Sequence, residues 1–426
     1  MLIGNDNIFL SGPPGSGKSY LIEHYVDWAR GKGMEVAVTA STGIAASLLG
    51  GITIHSWSGL TNAEREHIAM CSGNKFVVNR LKQAQVLIID EISMISASYL
   101  DALDELLKTV RKNSLPFGGL KTVLCGDFYQ LPPVDRRGHG NYAFLSQSWE
   151  AAGFKTCLLE EQHRQQLDKL NSLLTALRDR RFSKQYLDIL TARQGLRMPE
   201  TTMLLTHNSD VDRINMERLD GVSGNMHHYS MRFIGNQAAC RSLAGGMLAP
   251  KDLFLKTGAK IMFTANDFSA GFVNGSQGVV IGLKGGLPVV ELEADKRRVV
   301  VEVRSWKQEI EGKIVAEVCQ LPLRLAWAIT IHKSQGMSLD STIIDLRRSF
   351  SYGMGYVALS RVRKYQGLYL LGYNSRSLEL DPTVHQFYDS IKQPINGGSE
   401  MSAASALLDY GANPEYIKMI MYGAAK

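Results

Sequence analysis

Hydrophobic and polar positions follow two alternating periods along the first third of the chain. Uninterrupted apolar runs at residues 8–10, 36–40, 86–89 and 122–125 predict strands buried on both faces, and so a parallel sheet covered by helices. Residues 20–26 predict the first turns of a helix. Residues 60–84 break the pattern: they are polar and mixed in charge (Glu64, Arg65, Glu66, His67, Lys75, Arg80, Lys82), which predicts an insertion beside the sheet. Residues 158–165 open a helical stretch that runs through Leu177. Residues 203–206 resume the strand period, and Val211, Ile214 and Leu219 follow at helical spacing, so a second α/β domain is expected to begin here. Short β-branched segments separated by Gly turns at 250–306 predict a small barrel inserted in it, with Asn274 and Gly275 as a tight-turn pair. The α/β pattern returns at residues 320–336 and ends in a helix-like segment at 356–361 and a strand at 367–371. Residues 394–399 have linker composition and open a tail, 391–426, to which no role is assigned.

At 426 residues the chain is long enough for two or three domains. Its 45% hydrophobic and 21% charged residues describe a globular protein. The net charge of +6 favours a polyanionic partner without demanding one. Five cysteines (Cys71, Cys125, Cys157, Cys240, Cys319) form no C-x-x-C pair, so neither a zinc site nor a disulfide framework is indicated. No apolar run approaches the roughly 18 residues that span a bilayer, and no secretory or targeting signal is visible. The expectation is an intracellular protein with no membrane partner, cytoplasmic and nucleoid-associated if prokaryotic or viral.

Candidate chemistry gathers at the ends of the predicted strands, where open α/β sheets bind ligands. Residues 12–19 (Gly12, Pro13, Pro14, Gly15, Ser16, Gly17, Lys18, Ser19) fit G-x-x-x-x-G-K-[ST] between a strand and a helix. Such a loop turns successive N–H groups toward phosphate oxygens. Lys18 would reach the β and γ phosphates of ATP, and the Ser19 hydroxyl would hold Mg²⁺. The run ending in Asp90 and Glu91 supplies one carboxylate for Mg²⁺ and one to polarise the attacking water; alone, it would equally describe a solvated acidic pair. Gln130 follows the next strand and suits a γ-phosphate sensor, or a rigid surface turn next to Pro132 and Pro133. Residues 39–46 form a small-residue turn able to approach a DNA phosphate, or one chosen for packing. His55 and Trp57 could hold a phosphate and stack a base, though a core role is as consistent. Thr330, His332, Lys333, Ser334 and Gln335 form a dense phosphate-capable cluster. Arg361 has the position of an arginine finger, or of an exposed ion-pairing side chain.

In order and content these motifs resemble superfamily 1 helicases of the Pif1 family. The matching segments are residues 91–95, 116–119 (Pro-Phe-Gly-Gly), 125–134, 321–336 and 356–361, within about residues 7–390. The resemblance implies two RecA-like P-loop domains with parallel sheets. Domain 1A would cover 1–157 with a wedge insertion at about 60–84, and domain 2A 158–390 with an SH3-like β-barrel insertion at about 250–306. It further implies ATP and Mg²⁺ as cofactors, and 5′ to 3′ translocation on single-stranded and forked DNA by a protein monomeric on DNA. G-quadruplex DNA and RNA–DNA hybrids are further expectations of the family. Gln130, Arg164 and Arg361 carry over as γ-phosphate contacts, Glu91 as the catalytic base, and Asp90 with Ser19 as Mg²⁺ ligands. Thr39, Thr42, His55, Thr330, His332 and Lys333 carry over as positions that face the DNA backbone. The family's upstream adenine-reading glutamine segment has no match in the eleven residues before Gly12, which leaves adenine recognition open. A DNA-stimulated remodelling ATPase and a Dda- or RecD-like motor stand as alternatives; the intact Glu91 and Arg361 disfavour the first, the Pro-Phe-Gly-Gly and Gln-Leu-Pro-Pro segments the second.

Overall fold

The computed structural model describes residues 6–133, 141–159, 168–197, 200–245, 247–267, 269–272, 274–310 and 313–392. In it the apolar runs of the first third become the inner strands of one sheet. Strands β1 (Ile8–Ser11), β2 (Val36–Ala40), β3 (Ile52–Thr53), β4 (Val86–Asp90), β5 (Lys121–Gly126) and β6 (Lys155–Leu158) lie in the order β3-β2-β4-β5-β1-β6. All pairs are parallel. Strands β1 and β4 are buried at every position, as the absence of polar alternation predicts. Helix α1 (Lys18–Gly31) covers one face with Ile22, Tyr25 and Val26, packed on Ile8, Leu10, Val38, Ile88 and Val123. Leu158, expected to open a helix, instead ends β6 beside Ser11.

Helices α2 (Gly43–Leu48) and α3 (Ile54–Ser58) flank β3, and residues 60–84 form the helix pair α4 (Arg65–Gly73) and α5 (Lys75–Gln83) beside the sheet. Helix α6 (Ala97–Arg111) ties this pair down. Arg111 Nη1 donates to the carbonyls of Leu81, Lys82 and Ala84 at 2.9–3.3 Å, and its Nε to Gly118 O at 3.0 Å. A cation thus closes the C-terminal carbonyls of α5, which have no partner within the helix. Arg111→Ala should cost about 1.5–3 kcal/mol, the range for hydrogen bonds to a charged group. Denaturant midpoints test this; a loss below about 0.5 kcal/mol would show that the pair holds without it. The Pro-Phe-Gly-Gly segment has a local reason as well: Phe117 is buried at φ 52, and Asp104 Oδ1 accepts from its N–H at 2.6 Å.

Helix α7 (Gln147–Ala152) precedes β6, and α8 (Lys169–Arg178) and α9 (Lys184–Thr191) lead to β7 (Met203–Leu205) and α10 (Asn208–Asp220). The chain then leaves this layer. Strands β8 (His227–Ser230) and β9 (Arg232–Gly235), helix α11 (Gln237–Gly245), and strands β10 (Asp252–Leu255), β11 (Lys260–Phe263), β12 (Gln277–Lys284), β13 (Leu287–Leu292), β14 (Arg298–Val300), β15 (Arg304–Ile310), β16 (Lys313–Gln320) and β17 (Leu323–Leu325) follow. They pair antiparallel as sheets β14-β13-β12-β11-β17, β15-β16-β9 and β10-β8. The β-rich region therefore runs from 227 to 325, wider than the expected 250–306. Its core centres on stacked Phe263 and Phe272, with Val280, Val290 and Leu323. The chain returns as β18 (Ala328–Thr330), β19 (Thr342–Leu346), α12 (Met354–Ser360) and β20 (Leu368–Tyr373), giving a second parallel sheet, β18-β7-β19-β20.

The chain divides at His385 into a large unit and a unit of Gln386–Lys426. Of the latter only 386–392, the end of helix α13 (Pro382–Lys392), is described; most of the expected tail lies outside the described residues. Among the described residues no helix is long and apolar enough to cross a membrane.

Candidate nucleotide and nucleic-acid site

The loop from Ser11 to Lys18 joins β1 to the N-terminus of α1. Gly15 and Gly17 adopt φ of 81° and 89°, where a side chain would strain the backbone. A Cβ on Gly12 would lie 2.6 Å from Ser16 Oγ and 2.7 Å from Leu159 O. Lys18 Nζ donates back to Gly12 O at 2.7 Å and Pro13 O at 3.0 Å, which holds the ammonium over the loop. Ser16 Oγ is buried and has no hydrogen-bond partner. A phosphate oxygen at the loop would accept from it. Ser19, one residue into the helix, is exposed.

Asp90 ends β4, with its Oδ1 accepting from Glu91 N at 2.8 Å. Burial pushes its carboxyl up, opposed by that hydrogen bond, by the Cys125 thiol and by the charge of Lys18. Glu91 takes a left-handed conformation, φ 52, which is uncommon for a non-glycine residue. Burial, then the Asp90 charge, pushes Glu91 up to about 7, while Lys18, Arg361 and a hydrogen bond from Gln335 hold it down. Gln130 lies buried in the loop after β5, with its N–H donating to Asp127 O at 3.0 Å.

The second sheet meets this group from the other side. Arg361 follows α12, where a Cβ on Gly355 would lie 2.0 Å from Ser377 O, so helix and neighbouring turn are in close backbone contact. Arg361 is 4% exposed, and its guanidinium donates to Val357 O at 3.0 Å, Met337 O at 3.3 Å and Ser360 Oγ at 2.7 Å. It is a buried cation acting on Glu91 rather than an exposed ion-pairing residue. Gln335 was visible in the sequence only as one of a phosphate-capable cluster. In the structure its Nε2 donates to Glu91 Oε2 at 2.9 Å and lies 3.5 Å from Gln130 Oε1. Glu91, Gln130 and Arg361 are thus brought together, with Gln335 between the first two; Arg164 lies outside the described residues.

A second link between the layers is buried. Asp127 Oδ2 accepts from Tyr356 Oη at 3.0 Å and Arg178 Nη1 at 3.3 Å, and the Arg178 guanidinium lies 5.0 Å from the centre of the Tyr129 ring. Neither the aspartate nor the arginine was singled out in the sequence, because nothing local marks two charges that meet through the fold.

The residues expected at the DNA backbone separate into two groups. Thr39 is fully buried in β2, where its hydroxyl donates to Ile88 O at 2.6 Å. The neighbouring strand takes the hydroxyl, which is directed into the sheet in this structure. Thr39→Val should therefore leave affinity for single-stranded DNA within about twofold and cost about 1 kcal/mol of stability; a tenfold loss of affinity with unchanged stability would reverse the assignment. Thr330 is also buried, and its hydroxyl accepts from Lys333 N at 3.3 Å, so it caps the turn rather than reaching outward. Thr42 accepts from Ala45 N at 3.2 Å at the start of α2. His55 packs on the Tyr99 ring at 4.6 Å, and burial pushes its imidazole down, which favours the neutral form. His332 and Lys333, in the 3-10 turn after β18, are part-exposed, and burial lowers both. Phe350, 58% exposed with its ring 6.2 Å from His332 and 5.2 Å from His207, was not anticipated. Among the described residues no group of three or more His, Cys, Asp or Glu could hold a metal ion. Mg²⁺ does not require one, since it commonly keeps most of its waters and takes one or two protein oxygens plus phosphates.

With this geometry in hand, the chain can be set beside known proteins. A family model described as PIF1-like helicase matches residues 3–195. The ATP-dependent DNA helicase Pif1 of Psychrobacter sp. (strain PRwf-1) is 39% identical over 444 residues, which cover 88% of this chain and 67% of that protein; the chain spans about two thirds of that relative's length. The crystal structure of Pif1 helicase from Candida albicans superposes with a TM-score of 0.80 at 33% identity, covering 91% of this chain and 96% of that one. A Bacteroides Pif1 helicase solved in complex with ADP-AlF3 and ssDNA gives a TM-score of 0.69 at 28% identity, over 91% and 93% of the two chains. Two parallel α/β sheets fit the RecA-like domains of these structures. Similarity of this extent, along nearly the whole described chain and including the phosphate loop, establishes that the protein belongs to the PIF1-like helicase family.

Proposed function

We propose that the chain is an ATP-dependent DNA helicase that moves 5′ to 3′ along single-stranded DNA and separates duplex at forks. One observation carries this reading: the phosphate loop, Asp90 and Glu91 on one sheet face Gln335 and Arg361 from the other, so a nucleotide held there would touch both layers. Lys18 would exchange its bonds to Gly12 O and Pro13 O for the β and γ phosphates. Ser19 and Asp90 would hold Mg²⁺, which supplies charge neutralisation at the phosphates. Glu91, pushed up to about 7, is poised to take a proton from the attacking water near neutral pH. Gln130, Arg361 and Arg164 would contact the γ-phosphate, and loss of those contacts on hydrolysis would let the layers part.

Single-stranded DNA is assigned to Thr42, His55, His332 and Lys333, whose contacts to phosphate would carry little sequence information and so permit translocation. The α4–α5 pair is read as the wedge and the antiparallel sheet around β11–β13 as the SH3-like element, both aiding strand separation; the two layers are read as domains 1A and 2A. The Bacteroides relative was solved with ssDNA and a nucleotide analogue, and this chain is proposed to bind both as a monomer, inside the cell where genomic DNA is found. G-quadruplex DNA is included among its proposed substrates.

Steady-state ATP hydrolysis with and without single-stranded DNA tests the reading, with Lys18→Ala as control. Strong stimulation by DNA, lost in the variant, is expected; hydrolysis indifferent to DNA would contradict it.

A further inference from the structure

We infer that Thr264, Asn274 and Arg324 form, with Lys333, a subsite for one phosphate of the DNA strand, set where the antiparallel β region meets the second parallel sheet. The inference rests on the function proposed above and deepens it, because it makes the β region part of the surface that holds the strand. The four side chains line one cavity of about 10 Å³, with Ile329 and Met337 on its apolar side. That is about the room one water takes, and so the room for one phosphate oxygen.

The first basis is unmet hydrogen bonding. Thr264 Oγ1, Asn274 Oδ1 and Arg324 Nε are buried without a hydrogen-bond partner, and Thr264 and Asn274 are each 8% exposed. Folded proteins leave few such atoms, and here three belong to residues lining one cavity. Arg324 Nε can only donate, and the Thr264 hydroxyl can donate. The Asn274 amide, whose oxygen is the buried atom, donates after a half-turn that gives up no hydrogen bond among the described residues.

The second basis is charge, which decides between a resident water and an anion. Burial, then the Arg324 charge, pushes the Lys333 ammonium down, and burial pushes the Arg324 guanidinium down, with Asp212 opposing both. Among the described residues neither cation is in an ion pair. A water would satisfy the hydrogen bonds and leave two cations facing each other; an anionic oxygen answers both needs.

The third basis is rigidity. Thr264 directly follows β11, and its N–H donates to Pro322 O at 2.9 Å; Gly275, next to Asn274, donates to Phe263 O at 2.9 Å; Arg324 pairs with Met262 in the ladder of β11 and β17. Three of the groups therefore belong to the β region, while Lys333 stands in the turn after β18, so a phosphate between them would be held by both.

Binding of poly(dT) to the full chain is measured across a salt series for Arg324→Met and Thr264→Val, each close in volume to the residue replaced, and melting is followed without DNA. Arg324→Met should raise Kd about tenfold at low salt, the low end for a hydrogen bond to a charged group. It should also flatten the slope of log affinity against log salt by about 0.7, the share of one phosphate on a single strand. Thr264→Val should raise Kd about threefold. Both should melt no lower than the parent, since each removes a buried polar atom that has no partner in the free protein. Parental affinity and slope in Arg324→Met, beside a parent that binds poly(dT), would overturn the inference alone. A fall in melting temperature that accompanies the fall in affinity would overturn it too, showing a residue of the fold. Inorganic phosphate at fixed ionic strength separates the two sources of the anion. Should it raise the melting temperature of the parent but not of Arg324→Met, while both bind poly(dT) equally, the cavity takes a free anion and the strand assignment fails. A parent that binds no poly(dT) would remove the function proposed above and this inference together.

Discussion

Glu91→Gln is expected to lower DNA-stimulated ATP hydrolysis about 10²- to 10⁴-fold, the range for removal of a general base, while ATP affinity changes by no more than a few-fold. The amide keeps the size of the side chain, and the phosphate contacts of Lys18 and the loop are untouched, so the loss should fall on kcat. The same substitution should change stability in the opposite direction. An acid raised in the fold from the ordinary 4.5 to about 7 loses stability as pH climbs through that interval, because the folded state holds on to a proton that the unfolded chain releases. Without nucleotide or metal, Glu91→Gln should therefore melt higher than the parent at pH 8 and close to it at pH 4. A kcat loss below tenfold would remove Glu91 from the hydrolytic step. A lower melting temperature at pH 8 would show that the carboxylate is structural.

The second large effect concerns the buried link between the layers. Asp127→Asn should cost about 3–5 kcal/mol, the usual result of breaking a buried ion pair from one side. The Asp127 side chain is fully buried and the Arg178 side chain 17% exposed, so solvent can replace little of the lost interaction. Asparagine retains an acceptor for Tyr129 N, now 3.2 Å from Oδ1, but not the charge that faces Arg178. Asp127 lies three positions before Gln130, and Tyr356 shares α12 with the approach to Arg361. The variant should thus lose hydrolysis at temperatures where it remains folded. Thermal and denaturant unfolding, with ATPase assays on the folded protein, measure both effects. A cost below about 1 kcal/mol with normal hydrolysis would show that the pair links the layers without supporting either.

The inner strands β1 and β4 were legible because they are buried at every position and stay apolar until their last residue, Asp90 above all. The extent of the antiparallel region was not. Strands such as β8, with intermediate and exposed positions alternating, carry too few apolar residues to stand out, and β19 was passed over because Asp345 interrupts it. Residue type identified the hydroxyl of Thr39 but could not tell that the carbonyl of Ile88, on an adjacent strand, already takes it. Gln335 shows the converse limit. It was noticed among phosphate-capable neighbours, yet its partner Glu91 lies 244 positions earlier, and only the apposition of two sheets reveals the bond.

The measurement that tests the account most directly is unwinding of two duplexes that differ only in carrying a 5′ or a 3′ single-stranded tail, with ATP and Mg²⁺. The account predicts strand separation from the 5′-tailed duplex alone, abolished in Lys18→Ala. Separation from the 3′ tail would contradict the assigned direction. DNA-stimulated hydrolysis without separation of either duplex would contradict the helicase reading and leave an ATPase that grips DNA without opening it.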